Sequence, residues 1–375
     1  MYRQIIHAIA LSVVLGMVPA AVAKQAWVYF GTYTGPQSKG IYVAKLDDET
    51  GKLEAPLLAG ELASPSFLTI HPNRRYLYAV TESKNSTVSA FEINAKTGML
   101  TLLNTVPTQG SSGCHLVVDR TGKSLVLANY GNGSVVTFHV GGDGRLSEVS
   151  ANIRHSGSGP DSKRQRGPHA HGVTLSPDNR FVFVPDLGTD KIVAYRLDPE
   201  QASLVAHDPP FATVPEGSGP RHFAFHPKQP FAYSVNEMKS SVTAFSYDRD
   251  KGALTSLQTI ANLPEEFNGV NNSAEIDIDP DGKFLYASNR GHDSLTVYRI
   301  DAKKGTLTTV ERVLTRGKTP RGFKIDPSGR YLIAANQDSN SVVVFKRDSG
   351  TGRLTPTGQT LSVGAPVCVV ALPID

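Results

Sequence analysis

Tryptophan and cysteine are nearly missing from this chain: Trp27 is the only tryptophan, and Cys114 and Cys368 are the only cysteines in 375 residues. A small scaffold held together by several disulfides is thereby excluded. No apolar run reaches the roughly 20 residues that cross a bilayer. The longest, Ile5 to Val18, follows Met1-Tyr2-Arg3 and leads into Pro19-Ala20-Ala21-Val22-Ala23 before Lys24. A basic start, a short apolar core and small residues at its end are the layout of a secretory leader. Cleavage is expected after Ala23, and with no cysteine following the apolar run a lipid anchor is not indicated. The mature protein, residues 24–375, is expected in the periplasm with no membrane insertion once residues 1–23 are removed.

Strong charge is lacking too. The formal net charge is +4, one unit of which leaves with Arg3, and no basic run exceeds Lys163-Arg164-Gln165-Arg166. Nucleic acid is therefore not an expected partner. Outside the leader no stretch of ten or more residues carries a helical period. There is no Gly-x-Ser-x-Gly, which excludes the usual serine nucleophile elbow, and no acidic cluster of the kind calcium needs.

What the chain does have is repetition. One pattern begins at Pro65, Gly113, Ala170, Pro220, Ser273 and Pro320, at intervals of roughly 46 to 57 residues. Each copy has a short apolar strand, a turn of Pro/Asp/Gly/Asn with a basic residue, an aromatic-rich second strand, a polar loop and a third strand of Val/Thr/Phe/Tyr. Gly98-Met99-Leu100, Gly144-Arg145-Leu146, Gly252-Ala253-Leu254, Gly305-Thr306-Leu307 and Gly352-Arg353-Leu354 mark a fourth. Four antiparallel strands per unit, six times over, predict an all-β propeller. The chain ends supply a seventh unit. Pro366 to Pro373 matches a first strand, while Trp27 to Gly31, Gly40 to Ala44 and Gly51-Lys52-Leu53 match the other three, so the C-terminal strand closes the ring and leaves no open edge. WD signatures and the periodic tryptophans of quinoprotein propellers are both absent.

In such a ring the starts of the inner strands and the loops after the second strands meet at one mouth of the central channel, where chemistry is expected. Two columns of the aligned inner strands place His171, Arg221, His222, Glu275, Arg321 and His115 there. Unpaired charge is costly on a buried strand, so these side chains either pair with one another or form a ligand site. The second-strand loops add Glu82, Asn129-Tyr130, Asp186, Asn236-Glu237, Asn289-Arg290 and Asn336-Gln337; most of the asparagines are read as satisfying loop backbone. Insertions at 156–168 and 263–269 fall on the same mouth and are linkers or lids. Cys114 and Cys368 lie in non-adjacent units and different columns, so both are expected as free, buried thiols.

At Gly167-Pro168-His169-Ala170-His171, Gly219-Pro220-Arg221-His222, Val235-Asn236-Glu237, Ser273-Ala274-Glu275-Ile276, Ser288-Asn289-Arg290-Gly291, Ala335-Asn336-Gln337-Asp338 and Pro366-Val367-Cys368 the chain resembles the seven-bladed β-propeller lactonases, a family of 6-phosphogluconolactonases and gluconolactonases related to carboxymuconate cyclases. The resemblance spans essentially the whole mature chain. It implies a site of His171 (or its neighbour His169), Arg221, Glu237 and Arg290, with His169, His222, Glu275 and Arg321 binding or positioning the substrate. Glu237 or His171 would activate water, and the arginines would hold the oxyanion or a carboxylate. His169 and His171 alone are too few for a metal site, and no cofactor is implied. The expected partner is a small lactone, and no oligomer is specified. Because 6-phosphogluconolactone arises in the cytosol, a leader favours glucono-1,5-lactone; hydrolysis of the phosphorylated lactone, a muconate-type cycloisomerase and a non-catalytic binding propeller are the alternatives.

Overall fold

A computed structural model describes residues 25–374, and the expected leader lies outside them. Seven four-stranded antiparallel sheets form the blades of a propeller, with no helix among the described residues. Blade 1 runs outward from the channel as Pro366–Ile374, Gln25–Thr32, Gly40–Asp47 and Leu57–Glu61. The inner strands of blades 2 to 7 are Pro65–Ile70, Gly113–Val118, Thr174–Leu175, Pro220–Phe225, Asn272–Ile278 and Pro320–Ile325. Blade 1 is closed as the repeat predicts, with Tyr29 opposite Val370 and Phe30 opposite Val369.

The strands read differently because they are buried differently. A second strand such as Phe231–Asn236 is buried at every residue, since neighbouring blades cover both its faces. Its sequence is apolar on both faces apart from Ser234 and the terminal Asn236, rather than apolar on one face and exposed polar on the other. The outer strand Leu146–Arg154 has one wet face, and its burial alternates. The hydrophobic core is accordingly divided into seven clusters, one at each junction between blades. Tyr78 and Val80 of blade 2 pack with Leu116, Leu127 and Phe138 of blade 3 in one of them. Emptying such a junction, as by Leu127→Ala, costs about 2–5 kcal/mol.

Polar staples tie the blades in register. Tyr29, Tyr78, Tyr233 and Tyr286, all buried, donate to the carbonyls of Gly98, Gly144, Gly305 and Gly352 in the following blade at 2.8–3.0 Å. The aromatic second strand and the Gly-x-Leu turn are therefore two halves of one contact. On the face opposite the mouth, the residue just after the inner strand repeats this at the first turn. His226 Nε2 donates to Gly282 O at 2.8 Å while its Nδ1 accepts from Lys228 and Gln229. Gly282 has φ +75°, and a Cβ there would meet the His226 ring at 2.3 Å, so only glycine fits.

Two strands depart from the expected pattern. In blade 1 the Gly51-Lys52-Leu53 segment joins the sheet by a bridge from Leu53 to Leu46, but the outer strand proper, Leu57–Glu61, starts only after Pro56, which has no N–H to give to the ladder. In blade 4 the inner strand shrinks to Thr174–Leu175, and residues 170–173 keep only a bridge from Ala170 to Asp186 and the bond from His171 N to Pro185 O. Pro185 interrupts the pairing from the second strand. Both cysteines are free and buried, as expected.

Candidate active site

The residue just past the second strand, or in blade 6 the last of the strand itself, occupies one equivalent place in every blade, and going round the ring these are Tyr33, Glu82, Tyr130, Leu187, Glu237, Arg290 and Gln337. Glu237 is the centre of what they build. Its Oε2 accepts from Arg221 Nε at 3.1 Å and Arg290 Nη2 at 2.7 Å, and its Oε1 accepts from Arg164 Nη2 at 2.6 Å. Burial alone would raise the carboxyl's proton affinity, but Arg290, Arg221 and Arg164 outweigh it and hold Glu237 down at about 2. Burial, only partly offset by Glu237, and the nearby Arg221 and Arg321 bring Arg290 to about 10, still a cation at neutral pH.

Arg221 extends the network inward. Its Nη1 donates to Ala274 O at 2.8 Å and lies 3.2 Å from His222 Nε2. A guanidinium can only donate, so His222 Nε2 accepts and its Nδ1 carries the hydrogen given to Glu275 Oε1 at 2.8 Å. Burial, then Arg221 and Arg321, push His222 well below the usual histidine range and keep it neutral. Glu275 is raised by its own burial and also accepts from Ile276 N at 3.0 Å.

His171 stands beside this network. Burial, together with Arg221, His222 and Arg321, keeps its imidazole neutral. Its Nδ1 faces the Cys114 thiol at 3.7 Å, and its ring meets Tyr130 and His222 edge-on. No hydrogen bond among the described residues engages Nε2. The position depends on Gly172, whose absent Cβ leaves room for Arg221 O and Pro185 Cγ, each 2.9 Å from where it would be. His169 is used differently, its Nδ1 donating to Tyr130 O at 2.8 Å and its ring stacking on Tyr130 at 4.4 Å.

Arg321 differs from the other arginines. It lies over the Tyr33 ring at 5.4 Å, close enough to act on His171, His222 and Arg290, yet among the described residues its guanidinium makes no ion pair or hydrogen bond. Tyr33 is protonated, raised by burial, and donates to Glu82 Oε2 at 2.7 Å. The site thus joins all the expected residues, with His169 on its rim. Arg164 and Tyr33 were not among them. Tyr33 was findable by extending the second-strand alignment into the split blade; Arg164 sits in the insertion at 156–168, whose place on the mouth was legible but whose inward-pointing residue was not.

The asparagines behave as structural residues. Asn129, Asn236 and Asn289 are buried and donate through Nδ2 to Ser134, Ser241 and Ser294 at the start of the third strand. Asp186 serves likewise: Oδ2 lies 2.6 Å from His155 Nδ1, and Oδ1 accepts from His169 N at 2.9 Å, pinning both ends of the 156–168 insertion. The second insertion stays at the edge, with Phe267 against His292 at 4.9 Å. Among the described residues no group of three or more His, Cys, Asp or Glu side chains is arranged to hold a metal ion.

A mouth lined by guanidinium donors and neutral imidazoles on a seven-bladed ring agrees with comparison to known proteins. Residues 27–371 match the family described as lactonase, 7-bladed β-propeller. The chain belongs to that lactonase family. The lactonase-family member 6-phosphogluconolactonase of Bacillus subtilis is 37% identical over 296 residues, 79% of this chain and 83% of that protein. That of Formosa agariphila is 34% identical over 306 residues, 79% of this chain and 85% of that one. The solved structure of the periplasmic gluconolactonase of Pseudomonas aeruginosa superposes with a TM-score of 0.89 at 34% identity, covering 94% of this chain and all of that one.

Proposed function

We propose that this lactonase-family protein hydrolyses a sugar lactone, with glucono-1,5-lactone as its substrate, in the periplasm. The observation that carries the reading is Arg321, a cation with no ion pair or hydrogen bond among the described residues, set beside the neutral His171 and the Arg290–Glu237 pair. Ester hydrolysis needs a proton acceptor for the attacking water and donors for the oxygen that becomes negative. His171 Nε2 takes a proton from water as the oxygen attacks the lactone carbonyl. Arg321 and Arg290 hold the resulting oxyanion. As the tetrahedral centre collapses, the ring C–O bond breaks, the ring oxygen receives the proton from His171, and the new carboxylic acid gives its proton to bulk water, leaving the product carboxylate among the arginines. Glu237, already holding three guanidinium groups, orients them and does not serve as the base. His222 and Glu275 fix Arg221.

The leader-like residues 1–23 and the periplasmic relative support the compartment and the unphosphorylated substrate. The 6-phosphogluconolactonase relatives support the phosphorylated lactone as the second reading, since a free guanidinium suits a phosphate too. Purified mature protein is to be assayed on both lactones against their spontaneous hydrolysis. Acceleration of gluconolactone opening is expected; hydrolysis of the phosphorylated lactone alone replaces the first reading by the second. Loss of turnover in folded His171→Asn, on the order of 10²–10⁴-fold, is expected if His171 is the base.

A further inference from the structure

Glu237 presents two unequal oxygens. Oε2 is bound by Arg221 and Arg290, whose side chains are 4% and 14% exposed, whereas Oε1 is bound by Arg164, whose side chain is 38% exposed. Arg164 is thus the member of the triad that a ligand entering the mouth reaches first.

Its loop is built to hold the backbone still. Asp161 Oδ1 accepts from Lys163 N at 2.8 Å and Arg164 N at 2.9 Å, and Gln165 N donates to Asp161 O at 2.8 Å. The next residue, Gln165, is fully buried and donates to Leu187 O at 2.8 Å and Asp190 Oδ1 at 2.9 Å. Asp190 Oδ1 also accepts from Gly219 N at 2.8 Å, and Gly219 O accepts from Glu237 N at 2.8 Å. A continuous chain of bonds therefore ties the loop to the strand end carrying Glu237. With His155 and His169 pinned on Asp186, the backbone is anchored at both ends and in the middle, and the Arg164 side chain is the part left to move between acceptors.

We propose that Arg164 is a positioning residue that acts through Glu237: it caps Oε1 in the empty site and transfers its hydrogen bond to the carbonyl oxygen of the bound lactone, leaving Oε1 to accept a hydrogen bond from the attacking water. This deepens the lactonase reading and rests on it. In that reaction this oxygen is first the lactone carbonyl, then the tetrahedral oxyanion and last an oxygen of the product carboxylate. Arg164 would thereby couple the arrival of the lactone carbonyl to the orientation of water, and the 156–168 insertion would serve as a fixed platform instead of a swinging lid.

The test uses the mature protein, with 13C label in the glutamate side chains and Glu237→Gln to assign the Glu237 carboxyl signal. In Arg164→Gln the titration of Glu237 is expected to move up by about 1–3 pH units, the effect of losing a neighbouring cation. Arg164→Lys should restore part of the difference. Adding gluconate, the open-chain acid, to the wild type should move the Glu237 signal toward its position in Arg164→Gln while leaving the signal of Arg164→Gln itself nearly still. In kinetics, the acid limb of kcat/KM should move upward in Arg164→Gln. A Glu237 titration that superimposes in wild type and Arg164→Gln, or a gluconate response of equal size in both, overturns the proposal. Failure of the wild type to accelerate any lactone instead removes the lactonase reading, and the spectroscopic titration still decides the latch.

Discussion

The two faces of the ring bury comparable polar groups and treat them differently. At the turns opposite the mouth, buried carboxylates are filled by local partners. Asp279 Oδ1 accepts from Lys283 N and Phe284 N at 2.7 and 2.8 Å, and its Oδ2 accepts from Arg347 Nη1 of the next blade at 3.2 Å. Asp119 is filled by Thr121, Lys123, Ser124 and, from the next blade, Asn179. At the mouth part of the same set is left open: among the described residues Arg321 has no ion pair or hydrogen bond and His171 Nε2 is unengaged. Buried polar groups that are closed hold a structure together, and those left open are kept for something that arrives.

That contrast can be broken most severely at Glu237. Glu237→Gln leaves three guanidinium groups around a neutral amide, and both readouts should fall: kcat/KM by on the order of 10²–10³-fold and stability by about 3–5 kcal/mol. Lactone assays and urea unfolding on the same preparation check it, and a variant that loses neither removes Glu237 from the centre of the site. Arg347→Met makes the matching cut on the closed face, orphaning Asp279. A loss of about 3–5 kcal/mol with kcat/KM unchanged is expected, and a change in activity larger than in stability would erase the distinction between the faces.

Acid sharpens it next. Glu237 is held at about 2 instead of its ordinary 4.5, so its stabilisation is fully present above pH 4.5 and drains away as pH falls toward 2. The stability difference between wild type and Glu237→Gln should therefore be constant above pH 5 and shrink below 4.5 by on the order of 3 kcal/mol. A difference that stays flat with pH contradicts the assignment. Arg321→Met should reverse the Arg347 result: little loss of stability, because only the contact over the Tyr33 ring and no ion pair or hydrogen bond among the described residues is abandoned, and kcat/KM down by roughly 10- to 100-fold through one lost charge-assisted contact. Smallest is Tyr286→Phe, which deletes the bond to Gly352 O and should lower stability by about 1 kcal/mol with activity intact.

Legibility from sequence followed the same division. The ring was readable because each blade repeats the same requirements: a turn that only certain residues make, a second strand apolar on both faces, and an outer Gly-x-Leu that receives the tyrosine of the preceding blade. Blade 4 escaped in part, since Pro185 acts on the partner strand and its effect on residues 170–173 appears only once the two are opposed. The site was readable wherever it sat in a repeat column, as Arg221, Glu275, Glu237 and Arg290 do. Arg164 belongs to an insertion with no counterpart in other blades, so no alignment within the chain could show that it turns inward while Lys163 and Arg166 remain exposed.

The blade shared by the two ends also governs timing. Gln25–Thr32 cannot gain its inner neighbour until Pro366–Ile374 has emerged, a separation of almost the entire chain and among the slowest kinds of contact to form. Until then blade 1 has an unpaired inner edge and the ring stands open like an unclasped bracelet, so the mouth is assembled only when synthesis is nearly finished.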